Sequence, residues 1–282
     1  MKHLDKALQV WEDSASTRRS RDESRDTLLN QYAPEGLAHE PPKRGLASQA
    51  HGAGEMAAAE DASARLVTGA VSAVAVEQYH RLAATLHDAQ VNTSLKSVMI
   101  TSAAPHEGKT LTTLNLALTL TNSYARGVLI IDADLRWPRM HSLLGVSNTC
   151  GLTDALTDEH IELPVLRISD GLHLLTAGRP VATPLARLSS PRMAKLLHEC
   201  GRRFEWVLVD TPPVGLLPDA HLLARSVGAV ILVIGAGVTP AATIERTVAD
   251  LGPERIIGTV LNRVDTHAIV QASFYERYKA KR

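Results

Sequence analysis

From Ala75 onward, near-continuous runs of Val, Ile and Leu alternate with segments whose apolar residues recur at helical spacing. The runs predict strands at Ser97–Ser102, Gly127–Asp132, Leu172–Thr176, Trp206–Asp210, Ala229–Ile234 and Ile256–Leu261. Between and before them, helices are expected over Glu77–Asp88, Lys109–Tyr124, Pro191–Glu199, Asp219–Arg225 and Ala241–Asp250. Strands that are apolar throughout, not in alternation, belong to a sheet buried on both faces. The prediction is therefore an α/β fold with a mostly parallel sheet and helices on both sides. In such sheets ligands bind at the carboxyl ends of the strands, where candidate chemistry should be sought.

The pattern is different before Ala75. From about Ser14 to Glu60, charged residues mix with Pro34, Pro41 and Pro42 and no apolar period is visible, so residues 14–74 read as a flexible or disordered linker. Ahead of it, Leu4, Ala7, Leu8 and Trp11 share one helical face, and residues 1–13 read either as a short amphipathic docking helix or as a frayed terminus. The folded domain is expected over 75–266, with a tail over 267–282.

Composition narrows the function classes. At 282 residues and 45% hydrophobic content the chain can build one sizeable core. Its net charge of +0 provides no global field for gripping nucleic acid. Cys150 and Cys200 are too few for a disulfide scaffold or zinc site and fit a reducing cytoplasm. The longest apolar run, Val227 to Val238, is too short to cross a bilayer, so a membrane role is expected to come through a partner.

The strongest candidate chemistry follows the first strand. Val98 to Thr110 reads V-M-I-T-S-A-A-P-H-E-G-K-T, an apolar run breaking into a small-residue loop and then a helix. Consecutive backbone N–H groups in such a loop wrap an anionic polyphosphate, and the helix that follows offers its positive end. Pro105, His106, Glu107, Gly108, Lys109, Thr110 and Leu111 are the expected nucleotide-binding residues, with Lys109 neutralising charge and Thr110 offering a hydroxyl to Mg²⁺. Ala103 stands where the first glycine of such a loop usually sits, and a chance G-K-T is the alternative.

Two other predicted strands end in carboxylates: Asp132, with Asp134 two residues on, and Asp210. Acid at the end of an apolar strand needs a cation or a helix to cap, and Mg²⁺ carrying phosphates explains all three together. Thr110, Asp132 and Asp210 are the candidate metal ligands. Asp132 or Asp134 is the candidate for polarising the nucleophile. Lys109, Asp132, Asp134 and Arg136 form the expected catalytic set, Arg136 either stabilising phosphoryl charge or pairing with Asp134. Asn262, in L-N-R-V-D, is a candidate contact for a base, adenine in preference to guanine because Arg263 replaces the lysine of the guanine-reading element.

Together, S-A-A-P-H-E-G-K-T, I-I-D-A-D-L-R-W-P and V-L-V-D-T-P-P resemble the Walker A, A′ and B boxes of the bacterial tyrosine kinases of capsule and exopolysaccharide assembly. L-A-R-L-S-S-P-R-M-A-K-L-L, within Leu172 to Leu197, is similar to the family's L-S-S-x-x-M-x-x-L-L helix. Met1 to Gln9 resembles the opening of the exosortase-associated subgroup. The related MinD and ParA ATPases carry an extra loop lysine where this chain has Ala104.

The resemblance implies a P-loop protein-tyrosine autokinase that uses ATP and Mg²⁺, acts on tyrosines including its own, and is recruited to the inner membrane face by a transmembrane co-polymerase that activates it. Tyr275 and Tyr278 become the expected autophosphorylation sites, the alternative being two tyrosines packing one helical turn. The family's ring-forming E-x-x-R-x-x-R helix is reduced to Glu77 with Arg81 displaced by one, which bears on homo-oligomer formation. His106 stands where the family usually has glycine. A MinD/ParA-like positioning ATPase and a catalytically weakened nucleotide-binding scaffold are the alternative readings.

Overall fold

The structure, a computed structural model, describes residues 66–67, 72–158, 161–181, 183–215 and 219–264. The chain enters through α1 (Ala73–Thr93), whose first turn is capped by the Ser72 hydroxyl accepting from the Ala75 N–H. Then come β1 (Ser97–Ser102), α2 (Lys109–Tyr124), β2 (Val128–Asp132), α3 (Met140–Leu144), α4 (Leu152–Thr157), β3 (Leu166–Ser169) and β4 (Leu172–Leu175). The second half runs α5 (Pro184–Leu188), α6 (Pro191–Arg203), β5 (Trp206–Asp210), α7 (Asp219–Ala224), β6 (Ala229–Gly235), α8 (Ala241–Leu251) and β7 (Ile256–Asn262).

The seven strands form one sheet in the order β3-β4-β2-β5-β1-β6-β7. Every neighbouring pair is parallel except β3 with β4 at the edge. Alternate residues of the central strands feed two separate cores, as the period-2 geometry of a strand requires. Val98, Ile100, Ile130, Trp206, Leu208 and Ile231 face α1 and α2, packing with Leu86, Leu114 and Leu120. Met99, Leu129, Ile131, Val207, Val209 and Leu232 face the opposite layer, where Met193, Leu196, Leu197 and Ile244 meet them. Truncating one of these buried leucines to alanine should cost about 2–5 kcal/mol.

The folded region starts ahead of the expected boundary. Besides α1 beginning at Ala73, the Val67 N–H donates to the Asn115 side chain on α2 at 2.8 Å, and Leu66 packs on the same core. Residues 1–13, most of the expected linker and the 267–282 tail lie outside the described residues. Glu77 and Arg81 of the altered E-x-x-R-x-x-R segment pair with each other along α1 at 3.4 Å, both exposed. Such an i, i+4 pair contributes only a few tenths of a kcal/mol. No helix among the described residues is long and apolar enough to cross a membrane.

Candidate active site

β1 lies inside the sheet, between β5 and β6, so the loop leaving it opens at the strand ends. The Ser102 hydroxyl donates to the Ala104 carbonyl at 2.7 Å, and the Ala104 N–H donates to the Glu107 carboxylate at 2.7 Å. Two loop residues take left-handed backbone, His106 at φ 62° and Gly108 at φ 96°. Gly108 is required for space as well as angle, since a Cβ there would lie 2.1 Å from the Asn262 amide nitrogen. As the N-cap of α2, Gly108 supplies no side-chain acceptor, so the helix offers its first-turn N–H groups to an anion.

The three carboxylates gather beside that helix start. Asp132 and Asp210 are register partners at the ends of β2 and β5, and both are essentially buried. Asp132 accepts from the Asp134 N–H at 3.3 Å and from the Met140 N–H, at the start of α3, at 3.2 Å. Asp134 accepts from the Trp137 N–H at 3.2 Å and lies 3.1 Å from the Lys109 ammonium. Asp210 faces the Thr110 and Thr113 hydroxyls, while its Oδ1 is buried without a hydrogen-bond partner.

Burial pushes the Asp210 carboxyl up to about 6, against the pull of Lys109. Asp132 is driven well above the usual carboxylate range, first by burial and then by the neighbouring Asp210 charge. Burial alone would lower Lys109, but the facing carboxylates, Asp210 foremost, outweigh it and hold the ammonium charged. The site concentrates negative charge around one lysine. That arrangement is costly unless a further cation joins it.

Lys109, Thr110, Asp132, Asp134 and Asp210 thus come together as the spacing predicted. Pro105 and His106 are exposed at the loop tip, and Leu111 follows in the first turn of α2. The Glu107 side chain is buried, so this residue offers the ligand backbone only. Arg136 is exposed on the loop beyond Asp134, whose ion pair is with Lys109. Asn262 lies against the loop itself: its amide donates to the Glu107 carbonyl at 2.7 Å and its oxygen accepts from the Arg263 N–H. Arg263 in turn donates to the His106 carbonyl. Sequence reasoning missed Thr113, which carries no local motif, and named Arg263 only as a replacement within the base-contact element, not as a partner of the loop. Tyr275 and Tyr278 lie outside the described residues.

No family model matches the chain. Tyrosine-protein kinase YwqD of Bacillus subtilis, however, is 36% identical over 191 residues, a match covering 66% of this chain and 80% of the relative. The chain belongs to the bacterial tyrosine-protein kinases. Tyrosine-protein kinase etk of Escherichia coli is 34% identical over 204 residues, of which this chain spans only 28% of the relative's length. The solved kinase domain of Escherichia coli ETK superposes with TM-score 0.65 at 33% identity, covering 72% of this chain and 82% of that domain. The cell division ATPase MinD of Pyrococcus furiosus, at 24% identity and TM-score 0.51 over 60% of this chain and 74% of that one, shares the fold. The fold is therefore that of a bacterial tyrosine-kinase domain, with the loop and the strand-end carboxylates at the carboxyl ends of its parallel strands.

Proposed function

We propose that this chain is an ATP- and Mg²⁺-dependent protein-tyrosine autokinase serving capsule or exopolysaccharide assembly. The observation that supports it most is the convergence of Lys109, Asp132, Asp134 and Asp210 at three adjacent strand ends. The residues fit a phosphate-borne Mg²⁺: Asp210 Oδ1 is buried and unpartnered, and the Thr110 hydroxyl stands beside it. Mg²⁺ in such sites needs only one or two carboxylates, because phosphates and water complete its shell. Thr110 and Asp210 would hold it, with Asp132 on the neighbouring strand end.

Mg²⁺ held there would offset the charge of the phosphates. Lys109 leaves Asp134 to track those phosphates, and Asp134 is then released to receive a proton. The tyrosine oxygen attacks the γ-phosphorus, its proton passes to the Asp134 carboxylate, and the bond to the ADP oxygen breaks with the electron pair leaving on ADP. Asp132, held by two backbone N–H groups, keeps Asp134 oriented through the Asp134 N–H. Tyr275 and Tyr278 are the proposed acceptors, delivered into a neighbouring copy. A membrane protein whose cytoplasmic segment activates the kinase is the proposed partner.

Purified chain incubated with Mg-ATP separates the readings by product. Phosphotyrosine found by mass spectrometry supports the kinase. Free phosphate without it points to an ATPase of the MinD kind, and neither product to a scaffold.

A further inference from the structure

Glu107 is a carboxylate 3% exposed inside a loop that ought to be all backbone. Its Oε2 accepts from the Ala104 N–H at 2.7 Å, and its Oε1 accepts from the Gly235 N–H at 2.8 Å and from the Thr239 hydroxyl. Gly235 closes β6 and Thr239 ends the turn leading into α8, so the two oxygens join the phosphate loop to a different strand end. A buried charge is expensive unless donors surround it, and hydrogen bonds to an ionised acceptor are shorter and stronger than neutral ones. Mere filling of this space would be met at lower cost by an apolar side chain.

We propose that Glu107 is a positioning residue, holding the loop in its ligand-ready shape by tying its first turn to the end of β6. The inference rests on the nucleotide reading of the loop. The loop needs such a tie because His106, a non-glycine at φ 62°, holds a backbone conformation that costs about 1 kcal/mol or more and persists only when its surroundings impose it. Three contacts impose it: Glu107 on the Ala104 N–H, Asn262 on the Glu107 carbonyl, and Arg263 on the His106 carbonyl. Two of them come from the end of β7, and among the three Glu107 supplies the link to the end of β6. Nucleotide then meets a loop whose ordering cost has already been met in folding.

The tie can be cut on one side only. In Glu107→Gln the amide oxygen keeps the two-donor arm to Gly235 and Thr239, which leaves its NH₂ facing the Ala104 N–H, donor against donor. The full chain as wild type, Glu107→Gln, Glu107→Ala and Thr239→Val is titrated with Mg-ATP by calorimetry. Alongside, KM and kcat for ATP turnover and the melting temperature without nucleotide are measured. Glu107→Gln should melt within about 3 °C of wild type yet bind Mg-ATP about 10-fold or more weakly, with KM raised to match and kcat within about threefold. Glu107→Ala should weaken binding at least as much, and Thr239→Val less.

Unchanged affinity in both Glu107 variants overturns the positioning role while leaving the nucleotide reading intact. So does a loss that merely follows the fall in melting temperature. Wild type that fails to bind Mg-ATP overturns both readings at once.

Discussion

The Lys109 ammonium lies 3.1 Å from Asp134 Oδ2, so the cation proposed to track the phosphates is paired with the carboxylate proposed to receive the tyrosine proton. In the proposed mechanism ATP displaces this contact and frees both groups.

Removing that partner should separate binding from chemistry. Asp134→Asn frees Lys109, and ATP affinity should equal or exceed that of wild type while phosphotyrosine formation falls by about 10²-fold or more. Asp132→Asn should also spare ATP affinity within about threefold and lose transfer on the same scale, because an amide cannot accept from both the Asp134 and Met140 N–H groups. Calorimetry and phosphotyrosine quantitation on the same preparations check both. Full transfer in Asp132→Asn with loss in Asp134→Asn would place the chemistry on Asp134 alone.

Asp210 should weaken the fold as pH rises from about 4 to about 6. Its folded value of about 6 exceeds the ordinary 3.8, so the folded state holds this proton more tightly than the unfolded chain does. The penalty is absent well below pH 4, grows as pH rises through the interval, and is complete above about 6. Asp210→Asn is thus expected to stabilise the nucleotide-free protein at pH 8 by on the order of 1 to 3 kcal/mol and to lose most of that advantage at pH 4.5. Mg²⁺-dependent turnover should disappear in the same variant. Denaturant melts at the two pH values measure the difference.

The tail prediction concerns residues beyond the described fold. Tyr275→Phe with Tyr278→Phe should remove most autophosphorylation and leave Mg-ATP binding unchanged. Phosphate on both tyrosines would add about three to four negative charges to a segment carrying Arg277, Lys279, Lys281 and Arg282. Phosphopeptide mapping decides it; phosphate confined to Tyr32, Tyr79 or Tyr124 would contradict the assignment.

Much of this architecture could be read from residue order alone. β1, α2 and β5 begin and end at the residues predicted; in the two strands a short, mostly apolar run ending in Ser or Asp leaves little freedom in register, and in α2 the Gly108 turn marks the start. What escaped were α3, α4 and α5, of five or six residues each, too short to show a helical period. The β3 edge strand was missed for the same reason, as four residues of mixed burial read like loop. In the site, residue types and strand-end positions located Lys109, Asp132, Asp134 and Asp210. Pairings across the fold did not follow from them: Glu107 meets Gly235 and Thr239 over separations of 128 and 132 residues. Asn262 illustrates the same limit, its side chain lying on the Glu107 carbonyl across 155 residues.

The most direct measurement follows label from [γ-³²P]ATP with Mg²⁺ into the chain's own tyrosines, in wild type and Lys109→Met side by side. Lys109→Met should remain folded, less stable by about 1–3 kcal/mol for the unpaired Asp134, and should incorporate less than about one hundredth of the wild-type label. Equal labelling of the two proteins, or wild-type label found on serine and threonine alone, would contradict the account.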